Sequence, residues 1–592
     1  MALPKRSGLI PTALCLAMIA FLAIFLLYPI GLTVRGAFAA DAATGTGFTL
    51  EHVRLIAKDP VLVRGLINAG LIAVCTTALS IIIALPLAVL SARYRFPLQG
   101  AFQSAILAPL ILPPFVGAIG VRALVGREGM LNTLLGTEWD ILGNARFWGV
   151  VAVEALHLYP IIYLNATAAL ANLDPALDES AENLGAGPWR RFFTVTLPLI
   201  RPGLFAGATI VLIWSLTDLG TPLMFDYTKV TPVQVFNGLK EVSDSAEPYA
   251  LTLVLLTSAV LLYVTGKFLF GRKGHAMYAK AARAADTPRL TGLAGFGAAA
   301  AFGLVTLTAI LPHLGVALTA FAAPGQWYGT ILPSSWTLSN MEQALGHPDA
   351  FGSIRNSLFL SLGAVFINLF IGLMVGYLIV RTKARGRTLL DSLCMLPLAV
   401  PGLVMAFGYV AMTLRWPFEG TLPSWLGFLP ESIVRAPLDD TPFDLEVLGS
   451  TPNPFPLLIL AYAVRRLPYI VRSAAAGLEQ TSGELEEAAV NLGASRTRAV
   501  RTVIVPLIMA NLIAGSLLVF AFSMLEVSDS LILAQRSQDF PITARIFAFT
   551  LRLGDGPYIA SAMGVWGMAL LGATLVGATA MIGKKMGAIF RV

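Results

Sequence analysis

Two stretches of the chain set a carboxylate, a pair of small residues and a glycine at one fixed spacing. They read Leu177-Asp178-Glu179-Ser180-Ala181-Glu182-Asn183-Leu184-Gly185-Ala186 and, 308 positions later, Leu485-Glu486-Glu487-Ala488-Ala489-Val490-Asn491-Leu492-Gly493-Ala494. The chemistry they offer is docking. A short helix with an exposed Ser-Ala or Ala-Ala face settles into a groove on a partner, and the glycine permits the left-handed turn that ends it. Basic turns follow, with Arg190 and Arg191 in one copy and Arg496, Arg498 and Arg501 in the other. The same offset pairs Pro198 with Pro506, Leu199 with Leu507 and Ile200 with Ile508, which excludes a chance run of small residues.

A second set of reactive side chains lies inside apolar runs, where a charge costs at least about 2.5–3.5 kcal/mol. Ser215 and Asp218 align with Ser523 and Glu526. Such a pair would line a translocation path and favour a cation, or each acid would cap a neighbouring helix or pair with an arginine. Glu154 and His157 have the spacing of one helix face, but their aligned positions are Tyr462 and Arg465, so no symmetric metal site is expected there. Phosphate-cradling, zinc-hydrolase and nucleophile-elbow motifs are absent. Gly266-Lys267 is followed by Phe268, and Gly583-Lys584 by Lys585; both read as cations snorkelling at helix ends. No catalytic constellation, resident metal or cofactor is expected.

The elements that carry these residues follow from composition. With 592 residues, 56% hydrophobic and 13% charged, and a mean hydropathy of +0.75, the chain is a polytopic membrane protein. Apolar runs long enough to cross about 30 Å of hydrocarbon recur about twelve times, near 11–35, 63–92, 101–122, 147–171, 202–224, 248–270, 291–321, 356–380, 390–414, 455–475, 507–530 and 557–582. They lack barrel alternation and must satisfy their backbones internally, so they are expected to be helices. The prolines of spans three and nine, with Gly117, Gly120, Gly402 and Gly408, are expected to weaken those two helices.

The net charge of +7 is spread by loop, which speaks for orientation and against nucleic acid. Lys5, Arg6, Arg93, Arg95, the basic residues of 267–289, those of 381–387, and Lys584, Lys585 and Arg591 fall on one face. That face is expected to be cytoplasmic, with both termini inside. The segment 415–455, on the other face, is acidic. Cys15, Cys75 and Cys394 sit in apolar spans without zinc or disulfide spacing. The N-terminal apolar run lacks a convincing cleavage site and reads as a retained first helix.

The repeat extends beyond the two polar stretches. Asn68 to Arg93 matches Asn356 to Arg381, and Pro109 and Pro113 match Pro397 and Pro401, all at an offset of 288. An outward loop longer in the second copy accounts for the change to 308, as loops tolerate insertion. Six spans per copy make the repeats parallel. The expected organisation is a first six-helix unit over 1–270, a basic cytoplasmic linker over 271–290 with Pro288 near its end, and a second six-helix unit over 291–592, in a pseudo-symmetric bundle around a central path.

The paired stretches resemble the cytoplasmic Glu-Ala-Ala…Gly motif of the integral permeases of binding-protein-dependent ABC importers. The second copy has Glu487-Ala488-Ala489, Gly493 and Ile504-Val505-Pro506; the first has Glu179-Ser180-Ala181, Gly185 and Val195-Thr196-Leu197-Pro198. Ser for Ala and Val for Ile or Leu are mild departures. The tandem fusion looks like the ferric-iron, thiamine, sugar-phosphate and phosphonate permeases. The resemblance implies an all-α type I importer fold in the inner membrane, with Glu179, Ala181, Gly185, Glu487, Ala488, Ala489 and Gly493 coupling it to two ATP-binding cassette subunits. Those subunits would hold ATP and magnesium, and an extracytoplasmic solute-binding protein would deliver cargo. Ferric iron is the first expectation; thiamine, polyamine, phosphonate and sugar phosphate are alternatives. An ion-coupled secondary transporter is the reading from a different class.

Overall fold

The computed structural model describes the chain except residues 1–7, 42–45, 112, 140–142, 144, 172, 242–244, 271–287, 415–446, 448–452 and 583–592. Most of the expected linker, nearly all of the acidic outer segment, and the basic residues at both termini lie outside the described residues. In chain order the main helices are α1 Leu9–Ala37, α2 Pro60–Arg93, α3 Gln99–Ala105, α4 Pro114–Val125, α5 Arg146–Ala171, α6 Pro175–Asn183 and α7 Pro188–Leu216. Then come α8 Gly220–Met224, α9 Glu247–Phe270, α10 Gly292–Phe321, α11 Pro348–Arg381, α12 Arg387–Ala399 and α13 Gly402–Thr413. The last are α14 Phe455–Gln480, α15 Glu484–Asn491, α16 Met509–Met524, α17 Ser528–Leu533 and α18 Gly556–Ile582.

Among the described residues, seven helices are long and apolar enough to cross a membrane, or up to ten if each of three bent pairs is one span. The other two of the expected runs do form helices, α14 and α18, of 26 and 27 residues. Arg465, Arg466 and Arg472 lower the apolarity of α14, whereas α18 carries no charged residue. The proline-glycine segment of span nine breaks it outright: α12 and α13 meet at 106° across Val400 and Pro401.

Proline shapes the spans in another way. Three π-helical turns, Ala23–Leu27, Phe192–Thr196 and Val500–Ile504, each end two residues before a proline: Pro29, Pro198 and Pro506. A proline ring has no N–H to donate and clashes with the carbonyl four residues back. Widening the preceding turn is one local adjustment that accommodates both defects. The second and third of these turns are themselves 308 residues apart, so the repeat extends to backbone geometry.

Packing divides the chain into two compact units. Among the described residues, the larger falls within 1–63, 231–256 and 338–589, and the smaller within 64–230 and 257–337. In the larger unit α1 packs on α12 and α13, and α14 lies between α11 and α16. Within the smaller unit α5 packs on α7, and α10 packs on α4. The opening helix of each repeat is thus packed with the body of the other repeat, while the linear division at 270 and 291 describes the repeat in sequence.

The α4–α10 contact is made by glycines facing each other, as small residues let membrane helices approach closely. A Cβ on Gly120 would overlap the Pro312 carbonyl and lie 2.7 Å from the Val316 nitrogen. Gly120→Val is therefore expected to cost about 3 kcal/mol by overpacking, lowering the melting midpoint of the purified protein. Gly70→Ala, where nothing lies within 4 Å of the added carbon, should leave that midpoint unchanged or raise it slightly.

Candidate coupling helices and buried ionic clusters

Both expected polar stretches are short helices. In α6, Asp174 caps the start by accepting the Ala176 N–H at 3.0 Å, and Pro175 occupies the first turn. At the start of α15, Ser482 accepts from the Glu484 N–H at 3.3 Å, and three glutamates face the positive end of the helix. The two helices end identically. Gly185 and Gly493 have φ of 81° and 91°. The Gly185 N–H donates to Glu182 O and the Ala186 N–H to Ala181 O; the Gly493 N–H donates to Val490 O and the Ala494 N–H to Ala489 O, at 2.8–3.1 Å. This doubly bonded left-handed ending is the Schellman motif.

The exposed face is also duplicated. Leu184 and Leu492 are 88% and 89% exposed, and Leu177 and Leu485 nearly half. With Ser180-Ala181 or Ala488-Ala489 between them, they follow the i, i+3, i+4, i+7 stripe of one helix face. The result is a shallow apolar notch flanked by leucines. Glu179 and Glu487 are exposed beside it. Gly185 and Gly493 therefore terminate the stripe, and Ala181 and Ala489 both floor it and supply a terminating carbonyl.

The acids that tie these helices to the bundle are the residues just before, which the motif reading passed over. Asp178 accepts from Arg93 at 3.2 Å and lies 3.5 Å from Arg191, which also reaches Glu182 at 2.5 Å. Arg93 further donates to the Thr196 hydroxyl at 2.5 Å. In the other copy Glu486 accepts from the Tyr377 hydroxyl at 2.5 Å, and Arg381 donates to the carbonyls of Leu478 and Thr481 at 3.0 and 2.6 Å. Asp178 aligns with Glu486, and Arg93 with Arg381. Sequence reasoning read these arginines only as charges that set orientation.

The acids inside the spans are not equivalent. Glu526, 3% exposed, is held between two arginines of α14: Arg465 at 2.5 Å and Arg466 on its other oxygen. Arg465 also reaches Asp529 at 3.2 Å. Arg466 donates to Phe522 O at 3.1 Å and stacks over that ring. Tyr462 is hydrogen-bonded to Ser530 at 2.7 Å. Two cations and two anions close this cluster, and Ser523, 1% exposed, lies in the same turn as Phe522. Asp218 instead caps α8, accepting from the Gly220 and Thr221 N–H groups at 3.3 and 3.1 Å. Ser215 donates to Glu154, which also accepts from Thr76 at 3.4 Å. His157 bonds Pro109 O at 2.7 Å. Among the described residues no group of three or more His, Cys, Asp or Glu is placed to hold a metal.

An all-helical polytopic membrane protein, built twice and presenting one exposed capped helix per copy, is the class these features define. The chain belongs to the family of binding-protein-dependent transport system inner membrane components, whose model matches residues 84–232 and 368–586. It is similar to the ferric transport system permease protein FbpB of Actinobacillus pleuropneumoniae, 25% identical over 529 residues, 87% of this chain and 70% of that protein. It is also similar to an Fe(3+)-transport system permease protein, FbpB 2, of Haemophilus influenzae, 25% identical over 83% of this chain and 85% of that protein. A shorter likeness, 34% identical over 161 residues, is to the molybdenum transport system permease protein ModB of the same species, covering 27% of this chain and 70% of that one.

Proposed function

We propose that the chain is the fused permease of an ATP-driven importer for ferric iron. The single observation that carries the energy coupling is the duplicated exposed face of α6 and α15, two leucines about a pair of small residues, ended by the same left-handed glycine. Two such faces call for two partner surfaces of one kind, which we assign to two ATP-binding subunits on the cytoplasmic side. Both termini then lie in the cytoplasm, and the solute-binding protein docks on the opposite face. ATP and magnesium belong to the partners, and this chain hydrolyses nothing.

The cargo rests on the two long likenesses to ferric permeases. Ser215, Asp218, Ser523 and Glu526 are assigned to the path. Glu526 is neutralised locally by arginines, which supports assigning the uncompensated negative charge of the path to the first repeat. The family match decides against the ion-coupled carrier.

The double variant Glu179→Ala, Glu487→Ala tests the coupling. Proteoliposomes holding the purified complex are expected to lose at least about tenfold in uptake while the permease melts unchanged, since both side chains are exposed and unpaired. Full uptake with normal ATPase retention would remove the coupling assignment. Loss of ferric uptake in cells lacking the chain, read with radiolabelled iron, tests the cargo separately.

A further inference from the structure

The two repeats treat one buried position in opposite ways. Tyr462, Arg465, Arg466, Ser523, Glu526 and Asp529 align with Glu154, His157, Leu158, Ser215, Asp218 and Thr221. In the second repeat two carboxylates are met by two guanidinium groups. The first repeat has two carboxylates as well, but its aligned residues supply neither arginine.

Geometry agrees with the substitution pattern. Ser215 joins the two acids: its hydroxyl donates to Glu154, which is 1% exposed, and its carbonyl accepts the Asp218 N–H at 3.4 Å. Ser215 and Thr76 both reach the Oε2 of Glu154; its Oε1 is buried without a partner. Thr221, whose N–H bonds Asp218, is fully buried, and its hydroxyl too has no partner. Among the described residues no lysine or arginine forms an ion pair with either acid. Asp218 itself is partly buried.

Two adjacent carboxylates in a low-dielectric interior are neutralised either by a proton held between them or by a cation. Carboxylate and hydroxyl oxygens are the donor set preferred by hard divalent ions, and a charge of two balances the pair. We propose that Glu154 and Asp218, with the hydroxyls of Thr76, Ser215 and Thr221, bind one hard divalent cation at the position that Arg465 and Arg466 neutralise in the other repeat. The site does not depend on what the transporter carries, since it would fill in the permease alone.

Binding of Mn²⁺ to the purified full chain in nanodiscs, followed by electron paramagnetic resonance, tests it. The wild type is expected to bind one ion per chain and to melt higher with it. Glu154→Gln and Asp218→Asn should each weaken binding at least tenfold. His157→Arg, which adds the missing guanidinium without removing either acid, should do the same while melting near the wild type without Mn²⁺. Binding that is unchanged in all three variants overturns the proposal. So does absence of Mn²⁺ binding in the wild type; a protonated-carboxyl infrared band that Glu154→Gln removes would then show that the acids share a proton.

Discussion

Arg465→Ala is expected to destabilise the larger unit by about 3–5 kcal/mol, the cost of removing one partner from a buried ion pair. The magnitude follows from what is left behind. Glu526 and Asp529 are both buried, and Arg465 bridges them at 2.5 and 3.2 Å. Without it Asp529 keeps no ion pair, and Glu526 retains only Arg466. Adding Asp529→Asn removes the stranded charge and should recover part of the loss, giving a coupling energy above about 0.5 kcal/mol. The backbone at the break between α12 and α13 is fitted to the same side chain, because a Cβ on Gly402 would overlap the Arg465 guanidinium. Gly402→Ala should therefore lower the melting midpoint in the same direction by displacing an arginine it does not replace. Equal midpoints for wild type and Arg465→Ala in detergent would show that the cluster is solvated.

That cluster also shows what was legible in the sequence. Glu526 and Asp218 were found because acids in apolar runs stand out, and the 308 offset made them a pair. Their different partners were not found. Two adjacent arginines in one apolar span were a signal that two acids must lie opposite, and Glu526 and Asp529, three residues apart, were available. Reading Arg465 only as the counterpart of His157 hid it. The two short capped helices α6 and α15 were legible for a simpler reason: a left-handed glycine and a small-residue face are local properties, fixed within ten residues. Asp178 and Glu486 were not, since an anchoring acid and an exposed one look alike until Arg93 and Tyr377 are placed beside them.

Helix count and packing mark another boundary. Hydropathy located the runs, because lipid imposes length and apolarity on each span separately. It does not register that α14 offsets its arginines by pairing, since a window average sees only the charges. The packing of α1 on α12 and α13, and of α10 on α4, had no local signature at all. Gly120 and Gly315 meet across 195 residues of chain, and neither neighbourhood in sequence names the other.

Gly185 and Gly493 carry the largest expected effect on transport. Each ends its helix at positive φ, where an L side chain costs roughly 1–2 kcal/mol and a β-branched one more. Nothing lies within 4 Å of a Cβ added at either position, so a substitution there acts through the backbone alone. Gly493→Val should open the Schellman ending, free the carbonyls of Ala489 and Val490, and swing Leu492 off the Leu485 stripe. Uptake should fall by about tenfold or more for the single variant and vanish for Gly185→Val, Gly493→Val, while the permease still melts as the wild type does. Asparagine tolerates the left-handed region, so Gly493→Asn should keep most of the uptake, with Gly493→Ala between the two. This order, Asn above Ala above Val, separates a conformational requirement from a steric one. Contact of a partner directly with the glycine would instead make all three replacements fail in order of size, with alanine least harmful.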